Sequence, residues 1–168
     1  MVPAQSSSFS SISPASPIVS PFLKDLGVEF LNMENGEASI ALTLLPRHMN
    51  GWDATHGGVT MTLLDAVMSL SGRSLYPDTR GGVTVEMKTS FFQPGGISGQ
   101  RLVAKGKVSH HTLTLCFCEG EIWSGEKLVA KAMGTFKYLR RHEVAKEIEP
   151  YVLDQEQTAK ASIPAGKA

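Results

Sequence analysis

The sequence has no excess of charge, almost no cysteine and no long apolar run, and each lack excludes a class of protein. Sixteen Lys and Arg balance sixteen Asp and Glu over 168 residues, so the formal net charge is zero. Such a chain offers no basic stripe to a phosphate backbone or an anionic bilayer, and neither nucleic acid nor membrane is predicted as a partner. No apolar stretch approaches the roughly 20 residues of a membrane span. Residues Met1 to Ser20 lack the basic start and apolar core of a secretory signal, which predicts a cytoplasmic protein. Cys116 and Cys118 alternate in a predicted strand and so face the same way. A disulfide between them would be strained and two thiols make a poor zinc site, so they read as buried reduced thiols. His110-His111 lacks a third ligand for a metal, and the chain holds no phosphate-cradling P-loop and no internal repeat.

What is present fits one domain with a sizeable core. Residues 1–18, rich in Ser and Pro, are expected to be disordered; 19–140 form the domain; 141–168 form a charged, partly flexible tail. Pro21 to Gly27 reads as a short helical turn closed by glycine. Val28 to Leu31 and Ala38 to Leu44 read as strands joined at Asn35-Gly36, a hairpin signal. A helix is predicted from His56 to Leu75, with Thr55 as its N-cap and apolar residues on most sides, which marks it as buried. Four strands follow, at Gly82 to Phe92, Gln100 to Ser109, Thr112 to Trp123 and Lys127 to Tyr138. The first of them alternates Val83, Val85, Met87, Thr89 and Phe91 against Thr84, Glu86, Lys88, Ser90 and Phe92. One helix with a run of antiparallel strands predicts an α+β layer in which the sheet covers the helix.

The chemistry gathers where the polar turn Asn50 to Gly58 feeds that helix. A helix start points free N–H groups outward with the positive end of the macrodipole, and paired glycines let another group approach closely. Gly57 therefore reads as an oxyanion donor, against a plain turn glycine. Asp65 sits among Leu63, Leu64, Ala66 and Val67, where a carboxylate must be paired, exposed at an interface or functional. Gly57 and Asp65 are eight residues apart, roughly 12 Å along a straight helix. One chain cannot easily aim both at one small carbonyl, which predicts a composite site across a two-fold dimer. His56 is a catalytic-site candidate that would orient the loop or reach the substrate, against a helix-capping or solvent-facing residue, and Gly58 reads as permitting close packing.

The spacing Asn50…His56-Gly57-Gly58…Asp65, followed by Thr84 in a strand and a Phe92-Gln93-Pro94-Gly95 turn, resembles the hotdog-fold acyl-CoA thioesterases. The branch it is most similar to includes the thioesterase of phenylacetic acid degradation. The resemblance implies a hotdog fold, a curved antiparallel sheet wrapped around a long central helix, and an assembly that is a homodimer or a homotetramer built as a dimer of dimers. It implies hydrolysis of an aryl- or medium-chain acyl-CoA without metal or other cofactor. Asp65 would be nucleophile or general base, Asn50 would bind near the thioester carbonyl or orient water, and Thr84 would position water beside the acid. Arg101, Lys105 and Lys107 are candidates for the coenzyme A nucleotide, and Gly58, Met61, Met68, Phe91 and Phe92 for the substrate pocket. The loop Ser109-His110-His111-Thr112 departs from the Gly-Lys or Gly-Arg pair frequent in that family. A non-catalytic acyl-CoA-binding module and a hotdog hydratase or dehydratase are the alternatives, the latter without its proline-containing Asp/His motif here.

Overall fold

Ser20 opens the first ordered element: its Oγ accepts the Leu23 N–H at 3.4 Å, and helix α1 (Pro21–Leu26) runs until Gly27 turns left-handed at φ 89°. The computed structural model describes residues 20–76 and 80–140, so the segment 1–18 and the tail 141–168 lie outside the described residues. Strands β1 (Glu29–Glu34) and β2 (Glu37–Thr43) meet at Asn35 and Gly36, whose φ values of 52° and 83° suit a two-residue hairpin. After a 3-10 turn at Pro46–His48 comes helix α2 (Gly57–Arg73). Then follow β3 (Arg80–Phe91), β4 (Arg101–His111), β5 (Leu115–Ser124) and β6 (Lys127–Arg140).

The six strands form one antiparallel sheet in the order β1-β2-β4-β5-β6-β3, curved over a single long helix. This is the hotdog architecture. The sheet's inner face and the buried side of α2 (Leu63, Leu64, Val67 and Met68, all 0% exposed) form one apolar core. The helix lies close on the sheet because Gly106 and Gly120, paired across β4 and β5, carry no side chain. A Cβ at Gly106 would stand 2.5 Å from the Val67 carbonyl oxygen, and one at Gly120 would stand 3.0 Å from Met68 Cγ.

Three local predictions differ from the structure. Helix α2 starts at Gly57 and ends at Arg73, inside the predicted His56 to Leu75. His56 is its N-cap, since its Nδ1 accepts the Gly58 N–H at 2.9 Å, while the Thr55 hydroxyl donates to the Gly96 carbonyl instead. The turn expected at Ser109-His110-His111 is strand: a register shift between Val108 and His110 absorbs the extra residue and β4 continues to His111. The turn comes later, where Thr112 Oγ1 accepts the N–H groups of Thr114 and Leu115.

The alternation predicted along β3 also fails at one point. The ladder between β3 and β6 slips between Thr84 and Glu86. Thr84 stands opposite Phe136 and Met87 opposite Gly134, both partners on the buried face, so Thr84 shares the helix-facing side with Met87, Thr89 and Phe91. A strictly alternating strand puts Thr84 on the opposite face.

Candidate active site

Short-range hydrogen bonds build the loop ahead of α2. Asn50 N donates to the Ala54 carbonyl at 2.8 Å, and Asn50 Oδ1 accepts the N–H groups of Trp52 and Ala54 at 2.9 and 3.3 Å. These two donors fix the amide orientation, leaving the Nδ2 N–H groups as what Asn50 can offer a ligand. Asp53 takes φ 56° at the tip. Buried His48 braces the base, accepting the Leu45 N–H through Nδ1 at 3.0 Å, while its carbonyl accepts the His56 N–H at 2.9 Å. On the other side Thr55 donates through both N and Oγ1 to the Gly96 carbonyl, each at 2.9 Å.

The loop delivers Gly57 to the first turn of α2. Among the described residues its N–H has no acceptor, as the first turn of a helix dictates. His56 is exposed and acts as the cap, and Gly58 is where that cap comes close: a Cβ there would lie 3.0 Å from His56 Nδ1.

Asp65, half-buried on the second turn beyond, accepts the Thr84 hydroxyl on Oδ1 at 2.6 Å. The slip in β3 is what makes this bond. Because Thr84 has spent its proton on the carboxylate, its lone pairs and the second Asp65 oxygen remain as neighbouring acceptors.

Gly57 and Asp65 do not share a cavity. Asn50 and Gly57 line one of about 590 Å³ together with Trp52, Phe91 and Phe92. Asp65 lines another of about 490 Å³ whose walls include Phe22, Phe30, Met61 and Met87. Of the substrate-pocket candidates, Met61, Phe91 and Phe92 are all solvent-exposed in these openings, whereas Met68 is fully buried.

The predicted nucleotide-binding residues fall elsewhere. Arg101 is engaged with Glu29, its two terminal nitrogens 2.7 and 2.9 Å from the two carboxylate oxygens, an arrangement that lowers the Glu29 pKa. Lys105 and Lys107 stand with Glu119 and Glu121 around a separate depression of about 380 Å³. Within one chain the structure brings none of the three to either cavity. Cys116 and Cys118 are buried against Gly72, away from both. Arg73 and Ser69, not singled out in the sequence, do line the Asp65 cavity. The available signal was Arg73 itself, the single basic residue of α2, eight positions beyond Asp65.

The chain is similar to known proteins in both sequence and fold. Residues 54–131, which include Gly57, Asp65 and Thr84, match the family model described as the thioesterase superfamily. The acyl-coenzyme A thioesterase PaaI of Escherichia coli (strain K12) is 28% identical over 87 residues, 52% of this chain and 59% of that protein. Among solved structures, the conserved protein PA5202 from Pseudomonas aeruginosa is 28% identical with a TM-score of 0.68, over 72% of this chain and 95% of that one. A mutant structure of the phenylacetic acid degradation protein PaaI from Thermus thermophilus is 27% identical with a TM-score of 0.66, over 71% and 100% of the two chains. The matched segment holds all of α2, β3, β4 and β5 but neither Asn50 nor β1 and β2; over it the chain is similar to the thioesterase superfamily, and the domain has the hotdog fold of a thioester hydrolase.

Proposed function

We propose that this protein hydrolyses acyl-CoA thioesters at a site shared by two copies of the chain. The observation that carries the reading is the separation of Gly57 and Asn50 from Asp65: each half occupies its own cavity, about 12 Å apart along one helix. A second copy joins Asp65 of one subunit to Gly57 and Asn50 of the other, and the two-fold makes that site twice. The free edge of β3, with Val83 and Val85 40% and 60% exposed, suits contact with that copy, since a long unpaired edge strand is a liability until covered.

In the shared site the Gly57 N–H and Asn50 Nδ2 donate to the thioester carbonyl oxygen as it becomes an oxyanion. Asp65 acts as general base. It takes a proton from a water that it and the Thr84 oxygen hold between them, and the hydroxide adds to the carbonyl carbon. Collapse of the tetrahedral intermediate breaks the C–S bond, and the proton passes from Asp65 to the departing sulfur, giving a carboxylic acid and free CoA. The aromatic and methionine walls beside Asp65 take an aryl or medium-length acyl group, and the cavity with Trp52 and Phe92 takes the thiol arm.

The test is thiol release from a panel of aryl and aliphatic acyl-CoAs by the wild type and Asp65→Asn. Loss of turnover by several orders of magnitude, with fold and assembly intact, is the expected result. Equal rates remove Asp65 from the mechanism. A single turnover in heavy-oxygen water tests the other role open to an aspartate: label in the Asp65 carboxylate requires an acyl-aspartyl anhydride opened by water at the aspartyl carbon, which a general base never forms.

A further inference from the structure

Gly82 lines the Asp65 cavity from β3, and nothing in the fold demands a glycine there. Its φ lies outside the left-handed region that favours glycine. A Cβ at Gly106 would strike the main chain of α2 at 2.5 Å. At Gly82 the nearest atom would be the rotatable Ser69 hydroxyl, at 3.3 Å, and the next the Phe136 Cβ at 3.8 Å. Gly82 stands opposite Tyr138 as Thr84 stands opposite Phe136, and both partners are buried, so Gly82 and Thr84 share the helix-facing side of β3. Thr84 bonds to Asp65, and Ser69 Oγ donates to the Gly82 carbonyl at 3.4 Å. Strand and helix keep step, because two strand residues cover roughly 7 Å and four helix residues roughly 6 Å. Gly82 and Ser69 therefore form the next level of the cavity, one helical turn beyond the carboxylate. Phe22, Phe30, Leu70 and Met87 supply apolar wall around it, interrupted by Ser20 and Thr62.

We infer that Gly82 is the specificity-determining residue of the acyl site: its missing side chain keeps open the passage between β3 and α2 through which medium-length acyl groups extend past Asp65. The inference rests on the reading of the Asp65 cavity as the acyl site. An acyl group with its carbonyl at Asp65 must be about 6 Å long to reach the level of Gly82, which octanoyl is and acetyl is not. A chain that passes gains roughly fourfold in binding for each methylene it fully buries. Any side chain at position 82 starts in the gap beside Ser69, so a branched one closes the passage to long chains first.

Two assays separate this inference from the reaction it builds on. The first takes the ratio of kcat/KM for octanoyl-CoA to that for acetyl-CoA. The second takes the ratio of calorimetric affinities for S-octyl-CoA and S-ethyl-CoA, thioethers that cannot be hydrolysed. Wild type is expected to favour the long chain in both, Gly82→Val to lower each ratio by roughly tenfold or more, and Gly82→Ala to lower it less. Wild type that treats the two lengths alike in both assays overturns the inference. A folded Gly82→Val protein with unchanged ratios overturns it too, since a merely structural fault weakens both chains equally. Failure of both variants to fold makes the glycine a requirement of packing and overturns it as well. A Gly82-dependent preference for S-octyl-CoA without hydrolysis of any thioester sustains the passage and removes the thioesterase reading instead.

Discussion

Replacing Gly57 by proline removes one hydrogen atom from the proposed oxyanion site and disturbs little else. Gly57 is the first residue of α2, the position where helices accept proline most readily, because the N–H there has no helical partner. The residue before a proline must be extended, and His56 already holds φ −61° and ψ 133°. A Cβ at position 57 meets nothing closer than the Phe91 ring at 3.8 Å, an ordinary contact. The cap from Gly58 N to His56 Nδ1 is untouched. Losing one oxyanion donor costs kcat about 10²–10³-fold, or ~3–4 kcal/mol of transition-state stabilisation. Gly57→Ala keeps the N–H and should lose far less, so the ratio between the two variants isolates the donor. Thiol-release kinetics with thermal melts of both proteins make the measurement. A folded Gly57→Pro enzyme within about threefold of Gly57→Ala in kcat would refute the assignment. The same variant tests the shared site. In an equal, fully exchanged mixture with Asp65→Asn, half of the dimers are hybrids with one intact site of two, so about a quarter of wild-type activity returns. No recovery after confirmed exchange means that each chain works alone.

Two further outcomes follow from particular bonds. Thr84→Val keeps the shape of the side chain and deletes its 2.6 Å bond to Asp65. A bond to a charged group at a part-exposed site, at the low end of ~1.5 kcal/mol, predicts about a tenfold fall in kcat with KM little changed, rescued by serine. An unaltered kcat in Thr84→Val removes Thr84 from the mechanism. His48 predicts a pH dependence. Burial, then the positive charge of neighbouring Arg47, holds its pKa below the ordinary 6.5, so the folded state favours the neutral ring. Its contribution to stability is complete above the unfolded value and lost as pH falls below it, down to the folded pKa. Melting temperature should therefore decline on acidification through that window, and the decline should flatten in His48→Gln. A parallel decline in both proteins assigns it to other groups.

The fold was largely legible because its signals are local. Asn35-Gly36 announces a hairpin that both left-handed φ values realise, and Gly27 closes a six-residue helix at φ 89°. The apolar helix is buried, as its sequence indicates. The misplaced turn at Ser109 to His111 shows where local signals stop. A polar triplet reads as a turn until a partner strand is known, and the bulge that keeps it extended exists only in the pairing of β4 with β5. The spacing of Gly57 and Asp65 was legible for a different reason: a helix is a ruler, and eight residues measure the same length before and after the coordinates are known.

The resemblance put Thr84 beside Asp65, but strand alternation could not, and the reason is geometrical. In a regular strand every second side chain returns to the same face, so a Thr84 grouped with Glu86, Lys88 and Ser90 points to the sheet's outer face, away from α2. The observed ladder slips by one residue between Thr84 and Glu86, and the parity of everything on its N-terminal side reverses relative to the rest of β3. That single slip turns the hydroxyl onto the helix and lets it reach Asp65 across nineteen positions of sequence. Nothing in Thr84-Val85-Glu86 marks a bulge, as no glycine sits there. The slip matters because β6, the partner strand, is anchored by a buried Phe136 opposite Thr84 and by Gly134, where a Cβ would lie 3.2 Å from Met68 Cε. With β6 held against the helix by those contacts, the edge strand β3 is where an extra residue is most readily accommodated, and Val85 takes it up at 60% exposure. Thus the packing of a buried strand decides which face an edge strand shows to the reacting carboxylate.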